Sequence, residues 1–597
     1  MYFRCKRSGG FEYLQVVESR RVDGKPRQTV VATLGRLDVL KETGALDRLL
    51  RSGARFTDSA VVLSAFENGK TTTIETDRIG PPLIFERLWR ETGAKAVIDD
   101  LLAGRGFEFS VERAVFLTVL HRLIDPGSDR AAERWREAYA INGMADLDLH
   151  HLYRAMAWLG EDLADQTGAG WVPRTTKDVI EERLFARRHG LFSEMSLAIF
   201  DTTSLYFEGR GGETLGRHGH SKDHRPDLHQ MVLGVVIDEA GRPVCSEMWP
   251  GNTADVTTLL PVVTRLRERF LIGQVCIIAD RGMISSATVA TLERQGIEYI
   301  LGVRERRTLE AAAVLADATP FTPLAIPKAN GRGTLDLQVK EVVRKVKGPT
   351  SRIAKHRYIV CYNGAEAKND AAAREAILAN LTKALGQGDK SLVGNKGFRR
   401  HLKTTDGRRF AIDPDQVAAA AKFDGIYILR TNSRASALQV ALRYRERYRV
   451  EDIFRTSKTI LETRPIFHKC DETICGHVFC SFLALVLRKD LMDRLTAAGC
   501  DFEWADIVRD LDRLVQTDVE QDGKAFRLRP PTAGCAGAVF QAAGVALPPL
   551  VQPFTRSPPV LEDTPKSLPQ KPRKRPHRSA KTTAMTSNGL IGKDFSE

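Results

Sequence analysis

Two short apolar runs that each end on an aspartate, and one polar helix face far downstream, constrain this chain more than any bulk property. The runs are Ile199 to Asp201 and Ile277 to Asp280. The downstream stretch carries Tyr444, Arg447, Glu451 and Lys458 at spacing i, i+3, i+7, i+14, which on one continuous helix lines a single face. Carboxylates at strand ends are held rigid by their sheet, and a glutamate from a helix packed on that sheet can complete the set. Three such groups form the hard-oxygen ligand set that Mg²⁺ favours, with Mn²⁺ a possible substitute. Two such ions about 3.5–4 Å apart activate an oxygen nucleophile, neutralise charge at phosphorus and stabilise the leaving oxygen. An aspartate after an apolar run also caps turns. Arg447 and Arg455, each four residues from Glu451, also suit a solvent-facing, salt-bridged helix, so periodicity alone leaves both readings open.

The chain has 597 residues, too many for one core, so several folded units are expected. A hydrophobic share of 43% with 27% charged residues places it among globular proteins. Its net charge of +14 suits a polyanionic partner such as double-stranded DNA, although a basic enzyme with no such partner has the same composition. Met1 to Arg7 lacks the apolar segment of a signal peptide. The longest apolar run, Val478 to Leu487, is about half of what spans a bilayer. Nine scattered cysteines fit reduced thiols. Together these point to a cytoplasmic, nucleoid-associated protein with no membrane role.

The pattern along the chain is mixed α/β. Residues 1–55 read as a small β-rich region in which the segments around Tyr13–Val17 and Thr29–Leu34 pair. Residues 56–195 read as helical, with Val111 to Leu123 apolar on one face and Lys177 to Arg188 amphipathic and mixed in charge. Arg130, Arg134, Arg136 and Arg154 there suit a phosphate backbone or a solvated surface about equally. Residues 196–304 form a three-strand meander followed by alternating helix and strand. The segment 305–425 interrupts with a hairpin (Leu335–Val343, His356–Tyr362) and a helix (Ala371–Leu385). Residues 426–495 resume with a strand and the glutamate helix, 496–552 are a helical C-terminal region, and 553–597 are a disordered basic tail rich in proline. A second basic segment runs from Lys396 to Arg409. No internal repeat is evident.

The spacing Tyr-x2-Arg-x3-Glu-x6-Lys at Tyr444, Arg447, Glu451 and Lys458 resembles the signature of bacterial insertion-sequence transposases of the DDE type. The surroundings resemble that family too: Phe200 to Ser204, Pro250 to Asp255, Ala279 to Gly282, and Gly476 to Phe479. The resemblance covers roughly residues 195–490. It implies a ribonuclease-H-like catalytic domain, a mostly β insertion before the glutamate helix, and a largely helical N-terminal region that binds DNA at terminal inverted repeats. It further implies Asp201, Asp280 and Glu451 as the catalytic, metal-binding triad, and a homodimer on DNA. The activity implied is cut-and-paste transposition by nicking and strand transfer. The alternatives are a metal-dependent nuclease on the same fold and a domesticated or inactive DNA-binding protein.

Other contacts to DNA are assigned more loosely. Tyr444, Arg447, Lys458 and Arg281 flank the triad, and the polar loop Gly219 to Leu228 contributes Lys222 and Arg225, which a self-contained turn also explains. Two histidine-rich groups invite a zinc reading: His218, His220, His224 and His229, and His468, Cys470, Cys475, His477 and Cys480. Neither has the spacing of a closed zinc site, and buried cysteines also pack as small hydrophobes.

Overall fold

The computed structural model describes residues 2–22, 25–54, 66–67, 69, 72–166, 173–188, 195–273, 275–303, 309–327, 334–347, 353–386, 401–405, 409–521 and 524–554. The tail beyond 554 and most of the basic segment 396–409 lie outside them.

The chain starts with an antiparallel sheet of β1 (Tyr2–Ser8), β2 (Phe11–Val22) and β3 (Lys25–Arg36), then helices α1 (Leu37–Glu42) and α2 (Ala45–Ala54). The two segments expected to pair do so, with Val16 opposite Ala32 and Val17 opposite Val30. Strand β4 (Thr72–Arg78) leads into the helical region, α3 (Gly80–Glu91), α4 (Ala94–Leu102), α5 (Val111–Ile124), α6 (Asp129–Trp135), α7 (Leu149–Leu159) and α8 (Thr176–Arg188). Ser110 caps α5 by accepting from the Arg113 amide, and Ser128 caps α6 by accepting from Ala131. Helix α5 is buried on every side rather than on one face, with Arg113 its one residue that is not buried. It lies inside a core shared with α3, α7 and a long helix from the other end of the chain.

A nine-stranded mixed sheet forms the centre of the remainder. It contains β5 (Leu197–Tyr206), β6 (Gln230–Ile237), β7 (Pro243–Pro250), β8 (Cys276–Ala279), β9 (Glu298–Gly302), β10 (Thr322–Pro327), β11 (Thr334–Lys347) and β12 (Ile353–Asn363). Its last member is β15 (Ile426–Thr431), which follows the small hairpin β13 (Leu402–Thr405) and β14 (Arg409–Ile412). The order is β10-β11-β12-β15-β9-β8-β5-β6-β7. Strands β5, β8 and β9 run parallel, and the other pairings are antiparallel. The meander followed by parallel strands is the mixed α/β arrangement the sequence pattern implies. Strands from the 305–425 segment continue this sheet through β12 and β15, and the segment also holds the 23-residue helix Gly364–Gly386.

Alternation along the strands divides the two faces. Ala198, Phe200, Ile277 and Tyr299 pack under helices α9 (Leu259–Glu268) and α10 (Ser286–Arg294) through Val262, Leu266, Val289 and Leu292. Ile199, Leu205, Ile278, Ile300 and Leu429 face the opposite way. There they meet Val440 and Ala441 of a helix at Ala437–Arg445 and Val450 and Phe454 of the next at Tyr448–Arg455. The 27-residue helix Asp471–Ala497 then crosses into the helical region and supplies Phe479, Leu483 and Leu487 to its core. The C-terminal part contributes the helix Trp504–Asp512 and a four-stranded sheet whose inner strand, Val515–Gln521, pairs with β4. No described helix is long and apolar enough to cross a membrane.

Helix α8, read from sequence as amphipathic, turns three of its charged residues inward. Lys177, Asp178 and Glu181 are buried, and Arg265 of α9 bonds to Asp178 at 2.9 Å, Glu181 at 2.7 Å and Glu247 of β7 at 2.6 Å. Glu181 Oε1 also accepts from the Ser246 amide and hydroxyl. The network joins the helical region to the edge of the central sheet. Removing one partner strands the others without solvent, which typically costs several kcal/mol. Arg265→Ala is therefore expected to destabilise the protein by about 3–5 kcal/mol, measured as a fall in denaturation midpoint at neutral pH.

Candidate active site

The register of two strands builds the site. Strands β5 and β8 pair in parallel up to Phe200 opposite Ala279, so the next residue on each chain is an aspartate. Asp201 and Asp280 stand on the face of Ile199 and Ile278, the face covered by the helices at 437–455. Asp280 ends its strand, whereas β5 continues through Asp201 to Tyr206, still paired with β6. Asp201 is thus a mid-strand residue, fixed on one side by a neighbouring strand and uncovered on the other where β8 stops.

The helical stretch arrives as two helices, α14 (Ala437–Arg445) and α15 (Tyr448–Arg455), followed by a wider turn at Thr456–Ile460. Between them the Arg447 amide donates to Tyr444 O and the Val450 amide to Arg447 O, the tightened i to i+3 pattern of a local break. Ser436 and Gln439 cap the start reciprocally. Arg447 and Glu451 keep helical spacing across the break, with Nη2 and Oε1 2.8 Å apart. Arg447 Nη1 lies 3.4 Å from Asp201 Oδ2 and 3.6 Å from Asp280 Oδ2. One guanidinium therefore touches all three carboxylates. The Tyr444 hydroxyl donates to Asp280 Oδ1 at 3.3 Å. Arg281 lines the same cleft, about 440 Å³ in volume.

Lys458 does not share this face. The wider turn carries it to Asp223, 2.8 Å away, and Arg464 Nε lies 3.1 Å from the same carboxylate. Lys222 adjoins Asp201 through Thr202, since its ammonium donates to Thr202 O and Oγ1 at 2.8 Å and pairs with Asp255 at 3.3 Å. Arg225 bonds to Asp227 and sits over the Tyr206 ring, which Arg464 also approaches. The nine singled-out side chains therefore divide between the cleft (Asp280, Glu451, Tyr444, Arg447, Arg281), its margin (Asp201, buried behind Arg447, and Lys222) and a neighbouring cluster (Lys458, Arg225).

Three contributors were not singled out from the sequence. Gly302, at the end of β9, leaves room for Tyr444, because a Cβ there would lie 2.5 Å from its hydroxyl. Tyr427 stacks on Tyr444 with ring centroids 6.0 Å apart. Asp255 bonds both Thr202 Oγ1 and Lys222. The segment Pro250 to Asp255 carried a signal for the last. The other two depend on which strands are neighbours.

Neither zinc reading gains cysteine ligands. His218 and His229 stack as rings. His468 and His477 meet beside Asp129, and Arg122 donates to His477 Nδ1 at 2.7 Å, which makes a hydrogen-bonded network between α5, α6 and the long helix. Cys475 and Cys480 are held at thiols, their pKa values pushed up to about 12 by burial.

Burial raises the Asp201 carboxyl to a pKa of about 6, against the opposing pull of Arg447 and Lys222. Its folded state holds a proton more tightly than the unfolded chain does, so this group favours folding below its ordinary value of 3.8, an advantage lost as pH rises through about 6. Three carboxylates, one of them disfavoured as a bare anion, meet at the Arg447 guanidinium, and hard oxygen donors are the type a divalent cation takes.

Carboxylates gathered from neighbouring parallel strands and a covering helix and bordered by cations suit metal-dependent phosphodiester chemistry. The comparisons identify the class. Residues 3–65 match the model of the IS1634 family transposase, N-terminal domain, and residues 192–487 match the transposase DDE domain, together more than half of the chain. The chain belongs to the DDE-type insertion-sequence transposases, enzymes that cleave DNA and transfer strands with divalent metal ions. No curated protein matches it at a significant level.

Two outcomes are expected. Metal-free Asp201→Asn should be more stable than wild type at pH 7–8 by about 1–3 kcal/mol, with the difference vanishing toward pH 4 in denaturation curves. Gly302→Ala should displace the Tyr444 hydroxyl from Asp280 and slow DNA cleavage about tenfold or more, with stability changed by less than about 2 kcal/mol.

Proposed function

We propose that this transposase moves its insertion sequence by cut-and-paste, with Asp201, Asp280 and Glu451 as the catalytic carboxylates. The observation that carries the reading is their convergence on one guanidinium, that of Arg447. In the first reaction, water attacks phosphorus at the element end, the P–O3′ bond breaks, and a 3′-hydroxyl and a 5′-phosphate are left. In the second, that hydroxyl attacks a phosphorus of target DNA, and the P–O3′ bond there breaks in turn.

Mg²⁺, replaceable by Mn²⁺, would be held by Asp201, Asp280 and Glu451 and would supply charge neutralisation at phosphorus. The chain's own residues do the remainder. Arg447 is placed to move from the carboxylates to a phosphate oxygen, exchanging one anionic partner for another. Tyr444 orients Asp280. Lys222, held by Thr202 and Asp255, keeps a positive charge beside Asp201. Lys458 and Arg225, in the neighbouring cluster, suit backbone contacts further along the strand. The sequence signature Tyr444, Arg447, Glu451 and Lys458 then reads as three residues of the cleft and one of its flank.

Recognition of terminal inverted repeats belongs, in this reading, to the N-terminal sheet and the helical region at 80–188. Two ends must be paired before joining, which calls for a dimer on DNA.

The test incubates the purified protein with end-containing duplex, a target plasmid and Mg²⁺. Wild type should yield nicked and joined products, and Asp201→Ala neither. Cleavage that is the same in both proteins defeats the triad assignment, and nicked product without joined product indicates a nuclease. Binding of the duplex should weaken by about 10³-fold or more between 50 and 200 mM salt if some six phosphates are contacted. A flat salt response would remove the backbone contacts named above.

A further inference from the structure

At the opposite end of β8 from Asp280, a second concavity of about 530 Å³ lies between Cys276, the start of β9 and the loop after β15. Arg267 of α9, Arg434 of that loop and Arg443 of α14 all line it. Arginines elsewhere in the described residues are commonly committed to carboxylates, as Arg265, Arg357, Arg430 and Arg494 are. These three have no carboxylate partner among the described residues. Among the described residues, Arg267 donates to the backbone oxygen of Gln295 at 3.3 Å. Glu298 is the one acid in the lining. Three fixed positive charges around a concave, solvent-open surface carry a repulsion that an anion with several oxygens relieves.

Resting on the function proposed above, we infer that this basic concavity holds the phosphodiester backbone of the target duplex during strand transfer. Four residues of β8 separate it from Asp280, about 13 Å at ordinary strand rise, a span of roughly four base-pair steps along a duplex. The cleft itself is bordered by Arg447, Arg281 and Lys222, which the element end uses in both reactions. A second duplex brought to the same carboxylates needs backbone contacts of its own. Guanidiniums suit that task because their planar forks match phosphate oxygens in pairs.

The test uses the full-length protein with alanine at positions 267, 434 and 443 together, and a second triple variant with lysine there. Three reactions are measured: hydrolytic nicking of an intact element end, joining of a pre-cut end bearing a 3′-hydroxyl to a supercoiled plasmid, and binding of a target duplex across a salt series. Alanine should leave nicking within about twofold of wild type, lower joining about tenfold or more, and reduce the salt slope of target binding by roughly 2–3. Lysine should restore most of the joining, since a point charge still meets phosphate.

Joining at the wild-type level overturns the inference, as does nicking that falls in step with joining. Failure of lysine to rescue joining overturns it as well, since it would assign the arginines a structural role. Failure of the function proposed above is recognised separately, because wild-type protein would then fail to join, whether or not it nicks.

Discussion

The parallel pairing of β5 with β8 is the constraint on which the site depends. It ends at Phe200 opposite Ala279, and so delivers two aspartates at the same level on the same face of the sheet. A shift of one residue in either strand would turn one carboxylate toward Val262 and Leu266, under α9, and leave the other alone. The hydrophobic alternation on both faces opposes that shift, because every apolar side chain of the strand would change sides with the aspartate. The energy that holds the register is therefore that of the whole core, while the aspartates themselves contribute none of it.

Electrostatics then works against the fold at one point. Burial lifts the Asp201 carboxyl, and Arg447, Lys222 and the Thr202 amide offset part of that cost. The guanidinium at the centre serves two ends. In the free protein it lowers the repulsion among three acids, and with a phosphate present it has a better anionic partner to turn to. Around this strained centre the molecule is bound tightly elsewhere, through the buried Lys177, Asp178, Glu181 and Arg265 network and through the long helix Asp471–Ala497, which contributes Val478 to the sheet's core and Phe479 to the helical one.

Much of the architecture was legible beforehand. Apolar runs ending on Asp201 and Asp280 located β5 and β8, and the expected meander followed by alternating helix and strand accounts for β6, β7 and β9. The longest apolar run, Val478 to Leu487, lies inside the helix Asp471–Ala497. Less visible was anything that depended on partners. Helix α5 looked one-faced because its sequence has a polar minority, yet neighbours surround it. Helix α8 read as amphipathic and mixed in charge, and its Lys177, Asp178 and Glu181 find partners inside. The spacing from Tyr444 to Lys458 suggested one face of one helix, and the break at Glu446–Arg447 and the wider turn at 456–460 sent Lys458 to Asp223. Gly302 and Tyr427 gave no local sign at all, since their roles exist only because β9, β15 and α14 adjoin.

By itself the amino-acid order determined that two carboxylates would end short buried runs and that a third would stand one helical turn from an arginine, because those relations depend on neighbours along the chain. It also determined a basic, largely globular protein. Only the folded molecule decided that residues 79 and 171 positions apart would meet, which cations would face them, and which would be drawn aside by other acids. Such choices rest on strand order and burial, where each group competes for partners supplied by distant parts of the chain.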